Sequence, residues 1–126
     1  MTKTYREIDV LEAHGDLDRY HVVDVRQPEE YAGELGHIAG SRLVPLGELV
    51  EGLDAGRPAA EIVSGDAEAP WLLVCRSGNR SGQACARLIE AGVTDVVNLA
   101  GGMLEWARAG LPVRRGPASE AEGRTG

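Results

Sequence analysis

The chain has 126 residues and a mass of 13.4 kDa, which fits one domain and lets folding bury a core without a metal or disulfide staple. Apolar residues make up 43% and charged residues 26%, a balance that excludes a disordered chain. Thirteen basic against twenty acidic residues leave a net charge of −7, which argues against nucleic acid or an anionic membrane as partners.

In chain order, Asp9 followed three residues later by Glu12 has the spacing of a capped helix start. His21-Val22-Val23-Asp24-Val25 reads as a strand. Pro28, Glu29 and Glu30 suit a first helical turn, where a missing N–H is harmless and negative charge is favoured. Arg42-Leu43-Val44 is a second strand, and Leu46, Leu49, Val50 and Leu53 fall at helical spacing. Gly56 to Pro70 reads as a surface connection with a short helix around Ala59 to Val63. Trp71-Leu72-Leu73-Val74 is continuously apolar, as expected of a strand buried on both faces of a parallel sheet. Ala84, Cys85, Leu88 and Ile89 follow at helical spacing, then a strand over Asp95-Val96-Val97-Asn98-Leu99 and a last helix starting near Gly101-Gly102 with Trp106. Strands alternating with helices predict an α/β fold with a small, mostly parallel sheet flanked by helices. The expected organisation is a single domain over residues 1–113 and a disordered tail over 114–126, where apolar content nearly vanishes. No apolar run reaches the roughly 20 residues that span a bilayer, and no secretory signal is read at the N-terminus. Two cysteines are too few for a disulfide framework. These features predict a cytoplasmic protein.

The segment that carries chemistry is Cys75-Arg76-Ser77-Gly78-Asn79-Arg80-Ser81. A buried strand runs into a cysteine, a polar loop with Gly78 follows, and a helix opens near Arg80 to Gly82. Ligands of open α/β sheets bind outside the carboxyl ends of the strands, which is where Cys75 stands. Such a loop can turn several backbone N–H groups toward one anion, with Gly78 allowing positive φ. A thiol of pKa ~8.5 is only about 3% thiolate at pH 7, and lowering its pKa to ~6.5 takes about 2.7 kcal/mol. A helix terminus supplies ~0.3–1 kcal/mol, or ~2 in favourable sites. The loop N–H donors and at least one of Arg76 and Arg80 are therefore expected to supply the rest. A merely structural buried cysteine would be followed by apolar residues; here the following residues are mostly polar.

The chain resembles the single-domain form of the rhodanese-like sulfurtransferases. The resemblance spans about Tyr5 to Val113 and rests on four segments in order: Val23-Asp24-Val25-Arg26 with Glu30-Tyr31; Gly36-His37-Ile38-Ala39-Gly40-Ser41 with Pro45; the Cys75 to Ser81 loop; and Gly101-Gly102 with Trp106 and Gly110-Leu111-Pro112-Val113. The turn Ala32-Gly33-Glu34-Leu35 is slightly longer than the shortest family version. The resemblance implies that Cys75 takes a sulfane sulfur from a donor such as thiosulfate as a persulfide and passes it to cyanide or a thiol. It implies anion binding by Arg76, Ser77, Gly78, Asn79, Arg80 and Ser81, and a second cation at Arg26. No cofactor or metal is implied, and a sulfur-relay protein is a further expected kind of partner.

Two alternatives accompany this reading. One is a module of the same fold that relays sulfur or binds a partner without useful thiosulfate turnover. The other is arsenate or phosphate chemistry, which loop length opposes: related phosphatase and arsenate-reductase loops place arginine six positions after the cysteine, whereas Arg80 stands five after Cys75. Other residues fit ordinary roles. Asp24 is expected to orient loop groups or an arginine, and His37 to hold its own loop by hydrogen bonding. Cys85 reads as a core residue rather than a resolving thiol, and the Glu29-Glu30 pair as helix-start charge. His14, His21 and His37 share no metal-ligand spacing with the cysteines.

Overall fold

The computed structural model describes residues 5–64 and 70–117. Five parallel strands form one sheet in the order β1-β5-β4-β2-β3. They are β1 (Arg6–Ile8), β2 (His21–Asp24), β3 (Arg42–Leu43), β4 (Trp71–Val74) and β5 (Val96–Leu99). The helices are α1 (Val10–Gly15), α2 (Pro28–Tyr31), α3 (Leu46–Asp54), α4 (Ala59–Val63), α5 (Asn79–Glu90) and α6 (Gly102–Arg108), with a short 3-10 turn at Leu17–Arg19. This is the expected α/β architecture. β1 was not anticipated from the sequence: it is three residues long, and Arg6 and Glu7 are exposed at the sheet edge.

Side chains alternate across a strand, so a sheet covered on both faces reads as an unbroken apolar run. In β4, Trp71 and Leu73 join one core layer with Leu49, Leu88 and Val63, beneath α3, α4 and α5. Leu72 and Val74 join the other layer, with Val97, Leu99, Met103 and Trp106. The alternation carries on past the strand end, and Cys75 falls in the layer shared with α5. Local signals set the flanking helices. The Asp9 carboxylate accepts the Glu12 N–H at 2.8 Å and starts α1, and Pro28 opens α2.

A buried ion pair ties β2 to the segment after it. Arg26 and Asp24 are each 1% exposed. Arg26 Nε donates to Asp24 Oδ1 at 2.9 Å and Nη2 to Oδ2 at 2.8 Å. The remaining guanidinium donors reach Glu30 O at 3.1 Å and Gly36 O at 2.8 Å. One planar group thus fixes both the end of α2 and the following turn. That turn is closed by His37, whose ring stacks on Tyr31 at 3.8 Å and 6°. His37 Nδ1 meets Tyr31 O at 3.0 Å.

Backbone pairing continues at Arg114, one residue past the expected end of the domain at 113. Arg114 N donates to His37 O at 2.8 Å, and His37 N donates to Arg114 O at 2.9 Å. Arg115 also reaches Glu34 O. A segment poor in apolar residues is held here by backbone pairing, which composition does not register. Residues 118–126 of the expected tail lie outside the described residues, as does part of the Gly56 to Pro70 connection. Among the described residues no helix is long and apolar enough to cross a membrane.

Replacing Arg26 by Met leaves Asp24 buried and unpaired, which is expected to cost about 3–5 kcal/mol in urea denaturation. The double replacement Asp24→Leu/Arg26→Met is expected to recover part of that loss. A single-variant loss below about 1 kcal/mol would show that the pair does not hold this end of the sheet.

Candidate active site

The site is built at the carboxyl ends of β4, β2 and β5. Gly78, at φ +100°, caps α5 and directs its N–H to Cys75 Sγ at 3.1 Å. Ser81, one turn into the helix, places Oγ 3.3 Å from the same sulfur. The opposite side of the loop is held by α6. Met103 N donates to Cys75 O at 2.9 Å and Leu104 N to Arg76 O at 3.0 Å. With these carbonyls anchored on α6, the N–H groups that follow turn toward the sulfur. The contact needs a glycine at 102: it has φ +57°, and a Cβ there would lie 2.4 Å from Cys75 O and 2.6 Å from Arg76 O.

Cys75 is 1% exposed. Burial opposes its ionisation. Hydrogen bonds from the Ser81 hydroxyl and from the backbone N–H groups of Ser81, Gly78 and Ser77 outweigh that opposition and hold the thiol below its ordinary value. Hydrogen bonding therefore does most of what the sequence assigned partly to arginine. Arg80 donates to both oxygens of Glu30, at 2.7 and 2.8 Å, so its charge is already compensated, although it still interacts with Cys75 and Asp24. The hydrogen bonds from Arg80 hold Glu30 down to about 2.

The residues expected at the site divide accordingly. Ser77, Gly78 and Ser81 surround the sulfur. Arg76 is exposed at the loop's lip, and Asn79 is exposed at the first position of α5. Arg76 borders a cleft of about 370 Å³ with Glu29, Glu34, Leu35 and Leu104. Arg26, for which the resemblance implies a second cation near the cleft, lines it with its guanidinium donors committed to Asp24, Glu30 O and Gly36 O. Asp24, expected to orient loop groups or an arginine, accepts from the Arg26 guanidinium. His37 is spent on Tyr31 and the Arg114 bridge. Cys85 is 0% exposed in the α5 core layer, and burial pushes its thiol up to about 12.

Three contributors escaped the sequence reading. Glu30 meets Arg80 across 50 positions, a pairing without a local signature. Gly102 reads in the sequence as part of a helix start, which does not disclose its approach to the Cys75 carbonyl. Asn98 reaches Ser81 Oγ at 2.5 Å. Its signal was available: it is the one polar residue within Val96-Val97-Asn98-Leu99, and it is 2% exposed.

Comparison with known proteins gives a consistent result. A family model described as a rhodanese-like domain matches residues 7–109. A thiosulfate sulfurtransferase, GlpE, of Pseudomonas paraeruginosa is 40% identical over 85 residues, covering 68% of this chain and 67% of that protein. An uncharacterized protein of Synechocystis sp. is 40% identical over 95 residues, covering 75% of this chain; the match spans 47% of that longer relative. The structure of a rhodanese-related protein from Thermoplasma volcanium superposes with a TM-score of 0.71 at 30% identity, covering 87% of this chain and 98% of that one.

Two outcomes follow from the geometry. Gly102→Ala is expected to displace the Cys75 and Arg76 carbonyls and slow alkylation of Cys75 at neutral pH by about tenfold, the effect of one pKa unit. An unchanged rate would mean that α6 does not shape the loop. Because the Glu30 carboxyl lies below its ordinary 4.5, the Arg80 pair stabilises the fold above that pH and the stabilisation disappears as pH falls toward about 2. Glu30→Gln should therefore be less stable than wild type in thermal melts at neutral pH, with the gap closing across that acidic window. A gap independent of pH would assign the loss to packing.

Proposed function

Since the chain belongs to the rhodanese-like domain family, we propose that it is a sulfurtransferase that works through a persulfide on Cys75. The observation that carries this reading is the cysteine sulfur at the end of β4, met by the Gly78 N–H at 3.1 Å and the Ser81 hydroxyl at 3.3 Å. These donors favour the thiolate, which is the nucleophilic form. The thiolate lone pair attacks the outer sulfur of a donor such as thiosulfate. The donor's S–S bond breaks and sulfite departs with the bonding pair. Cyanide or a thiolate then attacks the terminal sulfur, the persulfide S–S bond breaks, and the Cys75 thiolate is restored. The two half-reactions share one covalent intermediate, so ping-pong kinetics are expected. The loop N–H groups stabilise negative charge on the transferred sulfur as fixed dipoles in a buried site. Arg76, at the lip, is a cation available to an anionic donor.

A specific observation also favours the relay reading. Arg26 and Arg80 are neutralised by Asp24 and Glu30, while Glu29 and Glu34 stand beside Arg76 at the cleft. Such a rim, on a chain of net charge −7, does not concentrate a dianion by long-range attraction. A donor that docks through surface contacts, such as a protein persulfide, suits this rim better than free thiosulfate.

Intact-mass spectrometry tests both readings. Thiosulfate is expected to add one sulfur, about 32 Da, that cyanide removes as thiocyanate. Cys75→Ser should abolish the adduct and Cys85→Ser should retain it. If thiosulfate leaves the mass unchanged while a protein persulfide loads Cys75, the relay reading replaces thiosulfate turnover. If neither donor loads Cys75, sulfur transfer is refuted.

A further inference from the structure

A hydrogen-bonded chain runs from the surface to the sulfur of Cys75. Its middle member is Asn98 on β5. Val97 and Leu99 lie in the α6 core layer, so alternation sets Asn98 on the α5 side. Asn98 Nδ2 donates to Glu7 Oε2 at 2.9 Å and to Gly78 O at 3.1 Å. A carboxylate and a carbonyl can only accept, which fixes the orientation of the amide. Oδ1 then faces Ser81 Oγ at 2.5 Å, while Ser81 Oγ lies 3.3 Å from Cys75 Sγ. A serine hydroxyl carries one proton. Asn98 Oδ1 and the Cys75 thiolate therefore compete for the same donor.

The two protonation states of Cys75 use that donor differently. In the thiol state every partner is satisfied: S–H donates to Ser81 Oγ, and the Ser81 proton goes to Asn98 Oδ1. When Cys75 ionises, its proton leaves to solvent and the Ser81 hydroxyl turns to the sulfur, with no covalent bond changed at Ser81. Two oxygens then face each other at 2.5 Å with no proton between them, an unfavourable contact in a buried site. We propose that Asn98 is a positioning residue that restrains ionisation of Cys75 by holding the Ser81 proton, and that Glu7 strengthens this hold from the surface by polarising the Asn98 amide. The proposal rests on Cys75 reacting as a thiolate, and not on which sulfur compound it meets. The other ionisable groups that interact with the sulfur are Arg80 and Cys85, with Glu30 and Asp24 acting through Arg80 and Arg76 next in the loop. Apart from Cys85, which is serine throughout the test, they are the same in every variant below.

The test is a pH titration of Cys75 by thiolate ultraviolet absorbance and by iodoacetamide rate, in a Cys85→Ser background. Asn98→Ala is expected to lower the apparent pKa by about half to one unit, so alkylation below that pKa accelerates about three- to tenfold. Ser81→Ala is expected to raise it, and adding Asn98→Ala to Ser81→Ala should then change nothing further. Glu7→Gln, at an exposed position suited to the case where Asn98→Ala fails to fold, is expected to shift the rate in the same direction by about twofold, and only while Ser81 is present. An unchanged or raised pKa in the folded variants overturns the proposal. So does a fall that persists without the Ser81 hydroxyl, since it would then arrive through Gly78. A protein that shows these shifts but moves no sulfur refutes the proposed reaction and leaves this inference standing.

Discussion

The architecture turns on one close approach, that of the start of α6 to the Cys75 loop. Two backbone N–H groups of α6 take the carbonyls of Cys75 and Arg76, and this is possible only because position 102 lacks a side chain. A peptide unit with its carbonyl fixed on one side must show its N–H on the other. The contact thus converts an ordinary strand-to-helix connection into a ring of donors facing one sulfur. The parallel sheet supplies the rest by bringing the ends of β4 and β5 side by side, so that the loop and the start of α6 share a rim.

The charged groups have a different task. Arg26 with Asp24 and Arg80 with Glu30 bind distant segments together, and each cation is answered by a carboxylate. The environment of the thiol is therefore set mainly by neutral dipoles and one hydroxyl. Such dipoles need no counterion and are little affected by salt, unlike exposed charges. Arg76 stands at the lip outside these pairs, beside Glu29 and Glu34.

Much of the fold and the main nucleophile candidate could be read from the sequence, because their signals are local. The apolar run Trp71 to Val74, the polar segment after Cys75, the Asp9 cap and Pro28 each announce their conformation within a few residues. What escaped is non-local. β1 is short and half-exposed, so it has no periodic pattern. Arg26 reads as a cation until its three partners, brought together by α2 and the Gly36 turn, are known. Glu30 and Arg80 meet only after the sheet has wound. Arg114 is held through its backbone, which leaves no trace in composition. Asn98 was legible in principle as a lone amide in a buried strand, but only the placement of Ser81 gives it a partner.

Cys85 gives the site a further property, which concerns time. It sits one helical turn beyond Ser81, sealed in the core, with burial holding its thiol near 12. A second thiol close enough to interact with the first would ordinarily threaten to collapse a sulfur-loaded cysteine into an internal disulfide. Held protonated and walled in by aliphatic side chains, Cys85 is no such nucleophile. In the proposed reaction, Cys85 would therefore not compete for a sulfur carried on Cys75, and the residence of that sulfur would be set by how often an acceptor arrives from outside.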